Sequence, residues 1–150
     1  MKKKNIILTV VVVVCVGLLA VAVYLFNDIF PKAKPIRRPE IEDVVSVSLN
    51  CNTLDASIPL NELHIEDLLL YISEARPTRK QSLNDYPTSG AYYGVEIQTG
   101  DKEYRYYVYE EGEQVYIEMP YEGIYTSEIE LLNLVLTYFV PSSAILQLRY

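Results

Sequence analysis

The stretch YYGVEIQTGDKEYRYYVYEEGEQVYIEM, residues 92–119, predicts three antiparallel strands in succession. Apolar and polar residues alternate over 92–98, 104–109 and 114–119, which is typical of strands that bury one face. The turns TGDK and EEGE separate these runs, and Gly-Asp suits a tight hairpin. The stretch therefore predicts a three-stranded meander around which the rest of the fold is built.

The buried faces of neighbouring strands predict the pairing of the two hairpins, because a slip of one residue would mix the faces. In the first hairpin Val95 is expected opposite Tyr106. In the second hairpin Val108 is expected opposite Val115. Both registers turn the same side of the central strand inward, which supports the meander.

The other side of the meander is rich in tyrosine. The same registers set Tyr107 opposite Tyr116 and place Arg105 between two glutamates, Glu96 and Glu118. One interpretation is ordinary cross-strand pairing on a solvated sheet. The other is a contact surface for a protein or a glycan, since tyrosine offers a large and stiff contact area. The candidate binding residues on this surface are Tyr107, Tyr109 and Tyr116.

The segments around the meander add a strand and two helices. VVSVSLNC, residues 44–51, alternates like a half-buried strand, and SIPL adds an edge piece that Pro59 limits. Residues 64–75 and 127–139 carry apolar side chains at helical spacing. The predicted fold class is α+β: a two-layer sandwich in which two helices cover an antiparallel sheet of about four strands.

The N-terminal segment NIILTVVVVVCVGLLAVAVYLF, residues 5–26, has no charge and follows three lysines. As a helix it would span about 33 Å, enough to cross the hydrocarbon core of a bilayer. It predicts a transmembrane signal-anchor over residues 1–26. Two alternatives are signal cleavage after Ala22, which ends a small-x-small site, and lipid attachment at Cys15, which the bulky valines before it disfavour.

Charge around the apolar segment predicts its orientation. Lysines at positions 2–4 favour an inside N-terminus, although the four cations of residues 27–40 lie beyond the other end. The expected localisation is the cell membrane, single-pass, with the domain of residues 41–150 outside the cytoplasm. Three prolines in residues 27–40 predict an extended linker. It serves either as a stem on anionic headgroups or as a solvated tether.

The net charge of −7 hides an asymmetry that bears on partners. Residues 41–150 hold six basic and eighteen acidic residues. Such a domain repels phosphate backbones, so nucleic acid is not an expected partner. The expected partners are the membrane, through the N-terminal helix, and a protein or cell-envelope polymer.

The sequence offers little material for catalysis. His64 is the only histidine and stands at the start of a predicted helix. No serine or cysteine lies in a nucleophile motif, and the acidic residues lack the spacing of a metal loop. We therefore predict no catalytic residues, no metal and no cofactor. Carboxylates brought together by folding are the alternative, and they would make the protein an envelope enzyme.

Two motifs resemble a known family. QSLNDYP at residues 81–87 and YIEMPYEGIY at residues 116–125 are similar to a family of small, uncharacterised membrane-tethered domains of Gram-positive bacteria. The resemblance covers about residues 40–140 and implies no activity. The family pattern that it implies consists of Ser82, Asn84, Asp85, Pro87, Pro120, Tyr121, Gly123 and Tyr125.

The family pattern leads to a packing hypothesis. The stretch MPYEGIY, residues 119–125, is expected to turn the third strand into the last helix. We expect the long loop that contains QSLNDYP to pack against this corner, because Asn and Asp side chains can order a loop by bonding to nearby backbone. The further candidate binding residues are Ser82, Asn84, Asp85, Tyr121 and Tyr125.

Together these features predict a membrane-anchored extracytoplasmic domain that binds a partner. A secreted inhibitor or immunity-type protein, released by signal cleavage, is one alternative. An envelope enzyme with a carboxylate site is the other.

Overall fold

The computed structural model describes residues 2–88 and 90–139, and these fall into two compact units divided after Lys32. The first unit contains helix α1, Lys2–Ile29. Its span Ile6–Ile29 has a mean hydropathy of 3.3, so the helix is long and apolar enough to cross a membrane. The tail 144–150, for which the sequence favours a last strand or a docked segment, lies outside the described residues.

The second unit is an α+β fold with one antiparallel sheet. Its strand order is β2-β1-β4-β5-β6-β7-β3. The strands are β1 Val44–Cys51, β2 Leu54–Pro59, β3 Arg76–Pro77, β4 Tyr92–Thr99, β5 Glu103–Glu111, β6 Gln114–Met119 and β7 Gly123–Ser127. The helices are α2 Ile65–Glu74 and α3 Ile129–Phe139.

The sheet has seven strands and is larger than the four that the sequence predicts. The SIPL edge piece is part of β2, and the two strands without any predicted counterpart are β3, which has only two residues, and β7. Because β7 begins at Gly123, within the MPYEGIY stretch, the corner joins strand to strand, and α3 begins only at Ile129. The prediction that this corner leads straight into a helix is therefore wrong.

The first hairpin has the predicted register, with Val95 opposite Tyr106. The second hairpin is displaced by two residues, because Val108 lies opposite Ile117. Its connection is the dipeptide Gly112-Glu113, and Gly112 has a φ of 68°. A glycine at the first central position is favoured in two-residue hairpin turns whose twist matches the strands.

The corrected register changes the tyrosine pairs on the face away from the helices. Tyr107 lies opposite Glu118, not opposite Tyr116 as predicted. Tyr116 lies opposite Tyr109 instead. A displacement of two residues leaves each side chain on its expected face, so only the partners on the neighbouring strand differ.

Helices α2 and α3 cover the other face of the sheet and enclose the core. The largest fully buried side chains are Tyr106, Tyr125, Leu49, Leu68, Ile72, Ile97, Ile117, Leu131, Val95, Val108 and Val135. Each large apolar side chain removed from water contributes about 1.5–3 kcal/mol, so burial of this face is the main stabilising term.

The proline-rich segment 33–39 packs on this unit. The N–H of Ala33 donates to the carbonyl of Thr78 at 2.9 Å, and the hydroxyl of Tyr106 donates to the carbonyl of Arg37 at 2.6 Å. Arg37 also forms an ion pair with Glu122. The segment forms no helix, as its prolines predict, and residues 33–39 belong to the folded unit and are not a free tether.

The two edge strands each contain a proline, Pro59 in β2 and Pro77 in β3. The residue after each proline donates its N–H into the sheet. The N–H of Leu60 donates to a carbonyl of β1 at 2.9 Å, and the N–H of Thr78 donates to a carbonyl of β7 at 3.1 Å. Successive N–H groups of a strand point to opposite sides. Each proline therefore stands where an N–H would point outward.

Candidate functional site

The 78–91 loop connects β3 with β4 and packs on the sheet face away from the helices. Ser82 is buried and bonds to Glu118, a β6 residue. Lys80 forms an ion pair with Glu111, and its Nζ lies 4.0 Å from the ring centroid of Tyr116. The loop therefore covers part of the surface that the sequence presents as an open tyrosine face.

The carboxylate of Glu118 is the most deeply buried charge of this face, with 5% of the residue exposed. The hydroxyl of Ser82 donates to its Oε1 at 2.7 Å, and the hydroxyl of Tyr109 is also hydrogen-bonded to Glu118. Burial, followed by the charge of Glu118, raises the pKa of Tyr109. Tyr109 is thus held neutral as a donor, which a buried carboxylate requires.

The corner between β6 and β7 is a turn with an unusual residue in it. The N–H of Glu122 donates to the carbonyl of Met119 at 3.0 Å, with Pro120 and Tyr121 between them. Tyr121 has a φ of 60°, as the third residue of a type II turn requires. Glycine or asparagine normally fills that position, and a bulky residue there is strained.

The loop and the corner are joined through Tyr121. Its N–H donates to the Oγ of Ser82 at 3.2 Å, so one serine hydroxyl connects the corner to Glu118. The hydroxyl of Tyr121 is hydrogen-bonded to Asp85, which raises the pKa of Tyr121. The expectation that the QSLNDYP loop packs against the MPYEGIY corner is confirmed. We call the 78–91 loop and residues 119–123 together the loop–corner junction.

The structure gathers most of the predicted binding residues at this junction. Tyr109 stacks on Tyr116 with ring centroids 5.6 Å apart, and Tyr107 is buried beside Tyr92, edge to face at 5.3 Å. Asn84 lies on the exposed side of the loop. Tyr125 does not join them, because its side chain lies in the core on the opposite face.

Two open grooves flank the junction. The Glu118 groove has a volume of about 440 Å³ and is lined by Lys80, Gln81, Leu83, Asn84, Pro87, Thr88, Tyr109, Glu111, Glu118 and Ile124. The Tyr121 groove has a volume of about 560 Å³ and is lined by Arg37, Asp85, Lys102, Glu103, Tyr104, Arg105, Met119, Pro120, Tyr121 and Glu122. Both volumes fall within the usual range of ligand sites.

Sequence reasoning missed Glu118, Lys80 and Gln81 as members of this site. The alternation of β6 places Glu118 on the face away from the core, where a carboxylate is normally solvated. Its burial depends on a loop that crosses it, and Ser82 lies 36 residues away in the chain. No pattern of neighbouring residues in the sequence predicts a contact between residues so far apart in the chain.

The side chains at the junction are suited to binding by hydrogen bonds. The histidine of the chain lies elsewhere: the Nδ1 of His64 is 2.6 Å from the hydroxyl of Tyr138, at the ends of α2 and α3. Within residues 2–88 and 90–139, no three His, Cys, Asp or Glu side chains converge as a metal site. The junction provides hydroxyl, amide and carboxylate groups beside the stacked rings of Tyr109 and Tyr116.

Fold and site together define a small α+β domain that follows one apolar helix. The model of the DUF5301 family, described as "Domain of unknown function (DUF5300)", matches residues 32–126. The chain therefore belongs to this family of uncharacterised domains. The match includes the whole proline-rich segment 33–39, in agreement with the packing of that segment on the domain.

One solved structure is also similar to this chain. The structure described as "NMR structure of the protein from Ruminococcus gnavus" is 30% identical to this chain and superimposes with a TM-score of 0.51. The alignment covers 61% of this chain and 89% of that one. No curated protein matches the sequence.

Proposed function

We propose that the protein is a single-pass, membrane-anchored domain outside the cytoplasm that binds a protein or a cell-envelope polymer at the loop–corner junction. The length and apolarity of α1 support the anchor. The lysines at positions 2–4, at the start of α1, support the orientation. The exposed tyrosine rings and the exposed amide of Asn84 at the junction support binding.

Tyr121 is the observation that carries this proposal. It is strained, yet 65% of the residue is exposed, so its ring contributes little to the core. Leu83 and Tyr86 of the same junction are 69% and 55% exposed. We call these three residues the junction patch. Exposed aromatic and apolar side chains held in place by hydrogen bonds are suited to a partner interface.

Site-specific crosslinking in cells tests the binding site. A photo-reactive phenylalanine analogue in place of Tyr121 should capture a discrete partner when the anchor is intact. The same analogue in place of Val45, a residue 70% exposed on β1, is the matched control. Capture at both positions, or at neither, would contradict a binding site at the junction.

Topology is tested separately on intact cells. Protease added outside should degrade the domain, and its protection would defeat the proposed orientation. N-terminal sequencing of the mature protein then distinguishes anchor from secretion. An intact N-terminus supports the anchor, whereas a start at Val23 would mean cleavage and release.

A further inference from the structure

The Glu118 groove contains polar side chains that the fold does not use. Among the described residues, the side chains of Gln81, Asn84 and Thr88 make no hydrogen bond, although all three line the groove. Ser82, one residue along the same loop, is by contrast fully engaged with Glu118. Two carboxamides offer paired donors and acceptors to a ligand, and paired hydroxyl groups are matched by such side chains.

The net charge of the groove determines which charge a ligand should carry. Lys80 and Glu111 neutralise each other as an ion pair. The remaining charge is the carboxylate of Glu118, so the groove as a whole is negative. An anionic ligand such as a phosphate would be repelled, and a ligand that carries hydroxyl and ammonium donors would be attracted.

The carboxylate of Glu118 has acceptor capacity left. Two carboxylate oxygens offer about four acceptor sites. The hydroxyls of Ser82 and Tyr109 occupy two of them. A cationic donor bound at one of the remaining acceptor sites of Glu118 would form a charge-assisted hydrogen bond. Such bonds are strong in a largely desolvated position.

The walls of the groove add a ring and apolar side chains. Tyr109 is half-buried and stacked on Tyr116, which fixes its ring. Leu83, Pro87 and Ile124 complete the apolar part of the lining. A ligand with one apolar face and hydroxyl groups around its rim matches this combination, and a pyranose ring has that shape.

We propose that the Glu118 groove binds a hexosamine unit with a free amino group, carried by a cell-envelope glycan. Its ammonium lies at Glu118, its hydroxyls at Gln81 and Asn84, and its C–H face on Tyr109. This inference rests on the proposed binding function and names the ligand class for one groove of the same junction.

Three oligomers of equal length separate the contributions of charge and shape. The full-length protein in neutral detergent micelles is titrated with a hexamer of glucosamine, a hexamer of N-acetylglucosamine and hexalysine, each followed by calorimetry. The glucosamine hexamer should bind at least about tenfold more tightly than either comparison, since it alone combines ammonium and ring. Equal or tighter binding of hexalysine would overturn the proposal in favour of a basic peptide.

Substitutions locate the binding. The double variant Gln81→Ala/Asn84→Ala should weaken glucosamine-hexamer binding about tenfold and leave thermal unfolding unchanged, because both side chains are exposed and unbonded. Glu113→Gln, which removes a charge from the exposed β5–β6 turn, is the control and should leave binding unchanged. Equal losses in the two variants, or no loss in the double variant, would refute a site in this groove.

Failure of the hexosamine assignment can be distinguished from failure of the general binding function. Crosslinking at Tyr121 reports a partner of any chemistry. If Tyr121 captures a partner and the glucosamine hexamer does not bind, the hexosamine assignment is wrong and the binding function stands.

Discussion

Ser82 connects three parts of the molecule, because its hydroxyl donates to Glu118 and accepts from the N–H of Tyr121. Replacing Ser82 with Ala leaves a buried carboxylate with one donor fewer and an N–H without an acceptor. We expect Ser82→Ala to lower the free energy of unfolding by about 1–3 kcal/mol. Urea unfolding of the full chain, followed by tyrosine fluorescence, measures the change.

Ser46→Ala is the matched control for this prediction. Ser46 is exposed on β1, so its loss should change the free energy of unfolding by less than about 0.5 kcal/mol. Equal effects of the two substitutions would mean that the bond to Glu118 contributes nothing specific.

Tyr121 gives a second prediction at the residue scale. Asparagine tolerates a positive φ better than tyrosine, and the tyrosine ring is mostly exposed. Relief of backbone strain should offset loss of the bond to Asp85, so Tyr121→Asn should change the free energy of unfolding by less than about 1 kcal/mol. A loss above about 3 kcal/mol in urea unfolding would show that Tyr121 is a structural residue.

At the scale of elements, the packing of segment 33–39 depends on a close approach between two small residues. A Cβ added to Gly123 would lie 2.4 Å from the Cβ of Ala33. Gly123→Ala should therefore displace the segment and lower the free energy of unfolding by about 1–3 kcal/mol. Hydrogen exchange should show faster exchange of the Ala33 amide, which bonds to Thr78.

A compensating substitution tests the cause of this effect. With Ala33→Gly in the same chain, the nearest atoms to the new Cβ are the Cα of residue 33 and the hydroxyl oxygen of Tyr125, both at 3.6 Å, which are ordinary contacts. The double variant should recover part of the lost stability. Additive losses would point to a cause other than the clash.

The register of the two hairpins shows how far sequence patterns reach. Alternation requires the inward faces to match, and the observed pairing of Val95 with Tyr106 meets this requirement. The pairing of Val108 with Val115 and that with Ile117 both satisfy the same requirement, because they differ by two residues. Only the length of the turn at Gly112 distinguishes them, and alternation carries no information about it.

Elements and sites held by distant contacts were harder to predict. Strand β3 has two residues and exists only through its pairing with β7. The prolines of segment 33–39 predict that it forms no helix, but they do not predict the Thr78 carbonyl and the Tyr106 hydroxyl that hydrogen-bond to it. The junction was predictable in outline from its two motifs, whereas the burial of Glu118 was not.

At the scale of the whole molecule, buried tyrosines predict how stability depends on pH. Burial is the largest cause that raises the pKa of Tyr93, Tyr106, Tyr107, Tyr109 and Tyr125 above 10.0. Above about pH 10 the unfolded chain loses protons that the folded chain keeps. The free energy of unfolding should therefore be unaffected by these groups below pH 10 and should fall as the pH rises beyond it.

An alkaline titration checks this expectation. Part of the rise in phenolate absorbance should come only well above pH 10, together with loss of circular dichroism, when the buried set ionises. Ionisation of all fourteen tyrosines in one phase near pH 10, with circular dichroism unchanged, would contradict the burial described above.

Pro59 and Pro77 affect how neighbouring copies of the protein can interact through the edges of their sheets. A regular outer strand presents a row of amide donors on which a strand from another chain can grow, and this is a common route to aggregation. Here the row is interrupted on both sides of the sheet, since each proline removes a donor that would point away from it. Each proline therefore hinders the growth of a strand from a second copy on its edge of the sheet.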